Sequence, residues 1–201
     1  MAGKLIIFSA PSGAGKTTIV QHLVKLPKFN LEFSISACCR PKRDGELGGK
    51  DYYFLSKDEF MDKIEQGEFL EWQEVYKDHY YGTLYSEVER ILNNNKNVIF
   101  DVDVEGGLNL KQKYADNALA VFVMPPSIQH LEQRLRDRST ESPESIARRM
   151  GKAEKELTVA DQFDVILYND NLEKALKDAE KIVEEYLQKQ EKSSTEKNRP
   201  F

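Results

Sequence analysis

The segment FSAPSGAGKTT, Phe8–Thr18, constrains the fold of this chain more than any other feature. It follows the apolar run KLII, which is short and ends in turn residues and so predicts a buried strand. The residues after it predict a helix over 16–26, ended by Pro27. A strand and a helix joined by a loop of small residues begin an α/β fold. The apolar positions at helical spacing are Ile19, Val20, Leu23, Val24 and Leu26.

The same loop has the composition of a polyphosphate site. Gly13 and Gly15 let the main chain approach phosphate oxygens, and the N-terminus of the following helix favours an anion. Lys16 can reach the terminal phosphates, and Thr17 offers a hydroxyl to Mg²⁺. Ala10 stands where the pattern G-x-x-x-x-G-K-[ST] has its first glycine, which a negative φ tolerates. A plain glycine-rich turn is the alternative, but it does not explain why the lysine and the hydroxyl lie at the junction between the strand and the helix.

Charge and composition exclude several classes of protein. The net charge of −5 argues against a general nucleic-acid binder, because duplex binding normally needs a basic face. No apolar run approaches the roughly 18 residues of a membrane span, and no secretory signal is evident. Cys38 and Cys39 are adjacent, which makes a poor disulfide pair. We therefore expect a cytoplasmic protein that binds neither nucleic acid nor membranes.

Strands and helices alternate along most of the chain, which predicts a parallel sheet with right-handed crossovers. Residues 31–85 break this alternation with short β-like runs (EFSIS, DYYFLS, FLEWQEVY), Gly-rich turns and a charged helix at 57–66, so we expect an inserted mixed sheet there. The alternation resumes with predicted helices at 86–94, from about 105, at 127–138, at 143–157 and at 172–190, and with strands at NVIFDVD, ALAVFVMPP and FDVILYND.

Candidate ligands for a second substrate lie in this insert. Arg40 and Arg43 suit a phosphate dianion, because forked guanidinium groups pair with phosphate oxygens. Tyr52 and Tyr81 can donate phenolic O–H groups to the same phosphate. Surface charge is the alternative for each arginine, and packing within a strand is the alternative for each tyrosine. These residues alone leave the second substrate open.

Several segments together resemble the guanylate kinase family, whose members phosphorylate GMP. SAPSGAGKTT, RPKRDGELGGKDYYF, FLEW, YYGT, DVDVEG and RLRDRSTESPESIARRM occur in the family's order. The resemblance implies a three-layer, parallel-sheet α/β fold of the P-loop nucleoside monophosphate kinases. Its implied parts are a P-loop core at 1–33, 86–125 and 159–190, a mixed-sheet GMP-binding insert at 34–85, a helical lid at 126–158 and a flexible tail at 191–201.

The resemblance also implies roles for individual residues. The ATP-binding positions are Ser12, Gly13, Ala14, Gly15, Lys16, Thr17, Thr18, Arg138 and Asn169, with Asn169 at the adenine. The GMP-binding positions are Ser36, Glu71 and Thr83 for guanine, Arg40, Arg43, Tyr52 and Tyr81 for its phosphate, and Asp103. The catalytic positions are Lys16, Arg43, Arg134, Arg138, Arg149 and Asp101. Thr17 would bind Mg²⁺ directly, and Asp101 through water; Asp103 has the alternative of helping to order the metal.

Some of these roles have physical support and some have alternatives. A carboxylate at Glu71 can accept from the ring N–H and the amino group of guanine, and adenine lacks those two donors side by side. An unpaired desolvated carboxylate costs on the order of 1–3 kcal/mol or more, so Glu71 would reject AMP. By spacing alone, Glu71 would instead be a solvent-facing strand residue. Arg136 and Arg148 have the alternative of an exposed helix face, with Glu144 pairing to Arg148.

The expected reaction is the Mg²⁺-dependent conversion of ATP and GMP to ADP and GDP, with dGMP as a further candidate acceptor. The GMP phosphate is itself the nucleophile, so no protein nucleophile is needed. Two other interpretations stay open at this point. One is a kinase for a different monophosphate, and the other is a peptide-binding module that kept the fold but lost catalysis. The presence of Lys16, Thr17, Arg40 and Arg43 argues against the module.

Overall fold

The structure is a computed structural model that describes residues 3–137 and 143–197, with side chains described as far as Lys189. The strands are β1 (Leu5–Ser9), β2 (Leu31–Phe33), β3 (Ala37–Cys38), β4 (Tyr53–Phe54), β5 (Phe69–Tyr76), β6 (His79–Leu84), β7 (Asn97–Val102), β8 (Ala118–Met124) and β9 (Val165–Tyr168). The helices are α1 (Lys16–Val24), α2 (Lys57–Glu65), α3 (Tyr85–Asn93), α4 (Val104–Tyr114), α5 (Ile128–Asp137), α6 (Pro143–Leu157) and α7 (Leu172–Lys197).

A five-stranded sheet in the order β2-β7-β1-β8-β9 forms the centre of the fold, and every pairing in it is parallel. Its middle strand β1 is buried along its whole length. Ile6 and Phe8 pack in one hydrophobic cluster with residues of α1 and α7, whereas Leu5 and Ile7 pack in another with residues of α3 and α4. Successive side chains of a strand point to opposite faces, so helices cover both faces of the sheet. The predicted three-layer α/β fold is confirmed.

A second sheet in the order β4-β3-β6-β5 forms the insert. Strands β3 and β4 are parallel, and β6 runs antiparallel to both β3 and β5, so the sheet is mixed as predicted. Helix α2 begins with a capping box between Ser56 and Glu59 and buries Phe60 beneath this sheet. The Phe60 and Phe69 rings stack with their centroids 4.4 Å apart. Each buried ring of this kind stabilises the insert by about 1.5–3 kcal/mol.

The structure differs from the sequence-based prediction at three places. The run EFSIS is not one strand of the insert, because β2 belongs to the parallel sheet and the chain passes to the mixed sheet around Ile35. Strand β6 had no predicted counterpart, since Gly82 interrupts its pattern; a Cβ there would lie 2.7 Å from the Phe69 ring. The backbone of α7 stays helical past the predicted end at Gln190, to Lys197, within the segment expected to be a tail.

The register of the parallel sheet places the site. Phe8 of β1 lies opposite Asp101 of β7, and Ser9 lies opposite Val102. The loop that follows β1 therefore meets Asp101, near the end of β7, and Asp103, just beyond it, at the carboxyl edge where open α/β sheets bind ligands. The boundaries predicted for core, insert and lid stay predictions.

None of the helices in the described part of the chain is long and apolar enough to cross a membrane. The cytoplasmic location stays a prediction.

Candidate active site

The loop between β1 and α1 is shaped by two glycines in the left-handed region. Gly13 has φ 93° and Gly15, the N-cap of α1, has φ 91°. A Cβ on Gly15 would also lie 2.5 Å from the Asn169 Nδ2 atom, so both conformation and space require glycine. The loop leads directly into α1, and the first N–H groups of a helix have no intrahelical partner. This geometry is that of a phosphate-binding loop.

Three side chains from outside the loop hold it in place. Asn169, which follows β9 and is 4% exposed, donates from Nδ2 to the Ala14 carbonyl at 2.7 Å. Arg134 of α5 donates from Nη1 to the Gly13 carbonyl at 3.2 Å. Arg149 of α6 donates from Nη1 to the Ser12 hydroxyl at 2.9 Å. The side chain of Asn169 thus supports the loop from beneath, and its contact with adenine stays a prediction.

Lys16 and Thr17 share one carboxylate partner. Lys16 Nζ forms an ion pair with Asp101 Oδ1, and the Thr17 hydroxyl donates to Asp101 Oδ2 at 2.6 Å. The Lys16 side chain is only 15% exposed. Burial lowers the pKa of Lys16 to about 8, against the opposing attraction of Asp103 and Glu156. Asp101 therefore fixes both groups that the loop presents to a phosphate.

Asp103 joins the sheet edge to helix α6. Its Oδ1 accepts from the Gly106 N–H at 3.0 Å and so caps α4, while its Oδ2 pairs with Lys152 Nζ at 2.8 Å. Lys152 Nζ also lies 3.6 Å from Glu156 Oε1, one turn further along α6. Burial raises the pKa of Glu156 to about 7. Both oxygens of Asp103 are engaged by protein groups, on the side of the cleft that faces α6.

The insert brings Glu71 and Thr83 together on neighbouring strands. They lie opposite each other in β5 and β6, and the Thr83 hydroxyl donates to Glu71 Oε1 at 2.7 Å. A Cβ on Gly106 would lie 3.0 Å from Glu71 Oε2, so the core approaches this carboxylate closely. Burial raises the pKa of Glu71 to about 7. Ser36 is buried and lines the same cleft. Glu71 is a half-buried acceptor that lines the cleft, which argues against its interpretation as a solvent-facing strand residue.

Arg40 is held by its neighbours on three sides. Its Nη1 and Nη2 atoms donate to the two Glu46 carboxylate oxygens at 2.7 and 2.5 Å, and its Nε donates to the Tyr81 hydroxyl at 3.0 Å. The guanidinium also lies over the Tyr52 ring, 4.9 Å from its centroid. The hydrogen bond from Arg40 lowers the pKa of Glu46 to about 2. Arg43, by contrast, is exposed, and its backbone N–H donates to Glu46.

Most of these groups line one cleft of about 990 Å³ between the loop, the insert and α6. A family model described as guanylate kinase matches residues 2–186 of the chain. The chain belongs to the guanylate kinase family.

Individual members of the guanylate kinase family are similar over nearly the whole chain. The guanylate kinase of Bacteroides thetaiotaomicron is 52% identical over 190 residues, which cover 94% of this chain and 93% of the relative. That of Porphyromonas gingivalis is 51% identical, over 92% of this chain and 99% of the relative. The crystal structure of guanylate kinase from Anaplasma phagocytophilum superposes with a TM-score of 0.74 at 25% identity, covering 94% of this chain and 87% of that one.

The cleft collects most of the residues that the guanylate kinase resemblance singles out. Those lining it are Ser12, Gly13, Ala14, Gly15, Lys16, Thr17, Thr18, Ser36, Arg40, Arg43, Tyr52, Glu71, Tyr81, Asp101, Asp103 and Arg149. Thr83, Arg134 and Asn169 act on lining groups from behind. Arg138 lies outside the described residues. Arg136 pairs with Glu132 at 2.5 Å on an exposed face of α5, as its alternative interpretation expects.

Four further residues at this guanylate kinase site were missed by sequence reasoning. Glu46 binds Arg40, Lys152 binds Asp103, Glu156 lies beside Lys152, and Tyr76 lies against α6. Lys152 and Glu156 follow Arg149 at intervals of one helical turn, so the helix face that carries Arg149 could have indicated them. Glu46 and Tyr76 carried no signal of this kind, because their partners depend on how the insert folds.

Proposed function

We propose that this chain transfers the γ-phosphoryl group of ATP to GMP, giving ADP and GDP. One observation carries the proposal: a single cleft is lined both by the phosphate loop, with Lys16, and by an insert that contributes Glu71, Arg40 and Arg43. The first half suits a nucleoside triphosphate, and the second suits a monophosphate with a guanine base. Membership of the guanylate kinase family supports the same reaction.

On the ATP side, the loop would hold the phosphates by its main-chain N–H groups and the N-terminus of α1. The Lys16 side chain is already largely shielded from water, so its ammonium group would bind a phosphate oxygen without first losing a full hydration shell. Arg149 lines the cleft and reaches the loop at Ser12, so it would contact the γ-phosphate, whereas Arg134 holds the Gly13 carbonyl from behind and is assigned to the same cluster by resemblance only. We assign Arg138, by resemblance only, to the same cluster.

On the GMP side, Glu71 would accept from the two adjacent donors of guanine, with Ser36 and Thr83 beside it. The phosphate would contact Arg43, the Tyr52 and Tyr81 hydroxyls, and the outer edge of the Arg40 guanidinium. Tyr81 accepts from Arg40 through its oxygen and therefore keeps its own proton to donate. Burial raises the pKa of Tyr81 to about 12, so this proton is present at neutral pH.

The residues present fit a bound Mg²⁺. The Thr17 hydroxyl and the Asp101 carboxylate are hard oxygen ligands, and they lie 2.6 Å apart beside Lys16. Within residues 3–137 and 143–189, no group of three His, Cys, Asp or Glu side chains could hold a metal by itself. A site built from one or two protein oxygens and the substrate phosphates is the usual one for this ion. When bound, Mg²⁺ would neutralise phosphate charge, and Thr17 and Asp101 would hold it.

The reaction forms a bond between a GMP phosphate oxygen and the γ-phosphorus, and it breaks the bond from that phosphorus to the β,γ-bridging oxygen. The GMP phosphate is largely a dianion at neutral pH, so no general base has to remove a proton. The protein has to align the two phosphates and neutralise the charge on the transferred group. Lys16 and Arg149 supply cations from the ATP side, and Arg43 supplies one from the GMP side.

The experiment is an acceptor comparison with purified protein, Mg²⁺ and ATP. We expect turnover with GMP, with dGMP included as the further candidate, and at least about 100-fold lower kcat/KM with AMP, UMP and CMP. Lys16→Ala should fold normally and lose activity. A preference for AMP would overturn the assignment of the base site. If no acceptor supports turnover and the protein binds peptides, the result would support the alternative of a peptide-binding module.

A further inference from the structure

Tyr76, the last residue of β5, lies against the basic face of helix α6. Its ring centroid is 5.1 Å from Arg148 Cζ, 5.4 Å from Arg149 Cζ and 5.6 Å from Lys152 Nζ. The ring is half-buried and lines the cleft. An aromatic face attracts cations by about 0.5–1 kcal/mol when exposed and about 2 kcal/mol when desolvated. One ring of the insert therefore contacts three cations of one helix.

The same part of α6 contacts the core on its other side. Arg149 donates to Ser12 of the phosphate loop at 2.9 Å, and Lys152 pairs with Asp103 at 2.8 Å. The insert is thus joined through Arg149 to the phosphate loop and through Lys152 to Asp103. On the insert side, this series of contacts ends at the Tyr76 ring.

We propose that Tyr76 is a positioning residue for phosphoryl transfer, which holds Arg149 and Lys152 in register with the phosphate loop when the insert is in place over the cleft. The inference rests on the proposed function. Tyr76 touches neither the loop nor Asp103 in the contacts described, so it acts through the cations that do. The ring, rather than the hydroxyl, makes these contacts, which sets the choice of variants.

The test uses the full-length chain with Tyr76→Leu, Tyr76→Phe and a matched control, Trp72→Leu. Trp72 lies on the same strand, is 42% exposed and packs on Tyr80 instead of α6. Steady-state kinetics give kcat and the KM for each nucleotide. We expect Tyr76→Leu to lower kcat about tenfold, the equivalent of one cation–π contact, with both KM values within about twofold. Tyr76→Phe and Trp72→Leu should stay within about twofold of the wild type.

A second measurement separates positioning through Arg149 from general packing. In an Arg149→Ala background, Tyr76→Leu should reduce kcat less than it does in the wild type, because residues that act as one unit are not additive. Additive losses, an unchanged kcat in Tyr76→Leu, or equal losses in Tyr76→Phe and Tyr76→Leu would each overturn the proposal. If Tyr76→Leu does not fold, as judged by thermal unfolding, Tyr76→Met replaces it. A wild type inactive on GMP overturns the proposed function, whereas an active wild type matched by Tyr76→Leu overturns only this inference.

Discussion

Asp101 contacts both Lys16 and Thr17, through different oxygens of its carboxylate. The arrangement follows from the register of the sheet, because Asp101 of β7 lies opposite Phe8 of β1, and Lys16 and Thr17 begin α1 after the loop that follows β1. One carboxylate thereby sets the position of a cation and of a hydroxyl before any nucleotide binds. Preorganised groups of this kind do not have to be ordered during the reaction.

Asp101→Asn should therefore impair catalysis without unfolding the protein. An amide oxygen can still accept from Thr17, but the neutral amide no longer forms an ion pair with Lys16, so Lys16 loses its fixed position. We expect kcat to fall by on the order of 10- to 100-fold, the range typical of residues that orient ligands. Steady-state kinetics at saturating ATP and GMP measure this. Asp161→Asn, on an exposed turn, is the matched control and should be neutral.

The pH dependence of GMP binding should report Glu71. Burial raises the pKa of this carboxyl to about 7. Guanine donors need the ionised form, so binding should be full above about pH 7 and weaken as the pH falls below it, by up to about tenfold per unit. Titration calorimetry between pH 5.5 and 8.5 measures the affinity. The GMP phosphate also titrates, at about pH 6. The Glu71→Gln variant isolates the contribution of the phosphate to the pH dependence.

In the Glu71→Gln variant, the change in GMP affinity near pH 7 should be absent, and only the change caused by titration of the GMP phosphate should remain. The overall affinity for GMP should fall by at least about tenfold, because a carboxamide offers one acceptor in place of two. A wild-type affinity that is flat between pH 6 and 8 would show that Glu71 does not meet the base.

Glu46→Gln should weaken GMP binding through Arg40. The paired carboxylate holds both terminal nitrogens of the Arg40 guanidinium, which is 7% exposed. A carboxamide can accept from only one of them, so Arg40 loses its fixed orientation. We expect the KM for GMP to rise about tenfold with a smaller change in kcat. Tighter binding would instead mean that Glu46 competes with the phosphate, and Glu65→Gln on the exposed face of α2 serves as control.

Asn169→Ala should lower stability and weaken ATP binding together. The substitution leaves the buried Ala14 carbonyl without its 2.7 Å hydrogen bond, at a cost of about 1–3 kcal/mol in the free energy of unfolding. The phosphate loop also loses a support, so the KM for ATP should rise. Urea unfolding and ATP titrations measure the two effects. Asn94→Ala removes an exposed amide that donates to Arg90 on α3, and it should cost less than about 0.5 kcal/mol.

The sequence predicted the central sheet and the phosphate loop because their signals are local. Ile6 and Phe8 sit in a continuous apolar run, and Gly13, Gly15 and Lys16 act through their own backbone and side chain. Asp101 and Asp103 were assigned by the family resemblance, although the strand that precedes them was recognisable from its apolar run. Elements of this kind need no knowledge of distant partners.

The residues that were missed depend on contacts across elements. Glu46 becomes informative only when the loop around it turns back onto Arg40, and Tyr76 only when the hairpin meets α6. The support that Asn169 gives to the loop was missed for the same reason, because its hydrogen bond to the Ala14 carbonyl joins two distant segments. Strand β6 was missed because Gly82, which its close packing on Phe69 requires, weakens the strand pattern.

The most direct test of the account is the product balance of the purified wild-type protein given ATP, Mg²⁺ and a single acceptor. With GMP, ADP and GDP should appear in equal amounts, and omission of GMP should leave ATP nearly intact. ADP formed in the absence of GDP, or GMP consumed no faster than AMP, would contradict transfer between two nucleotides held in one cleft.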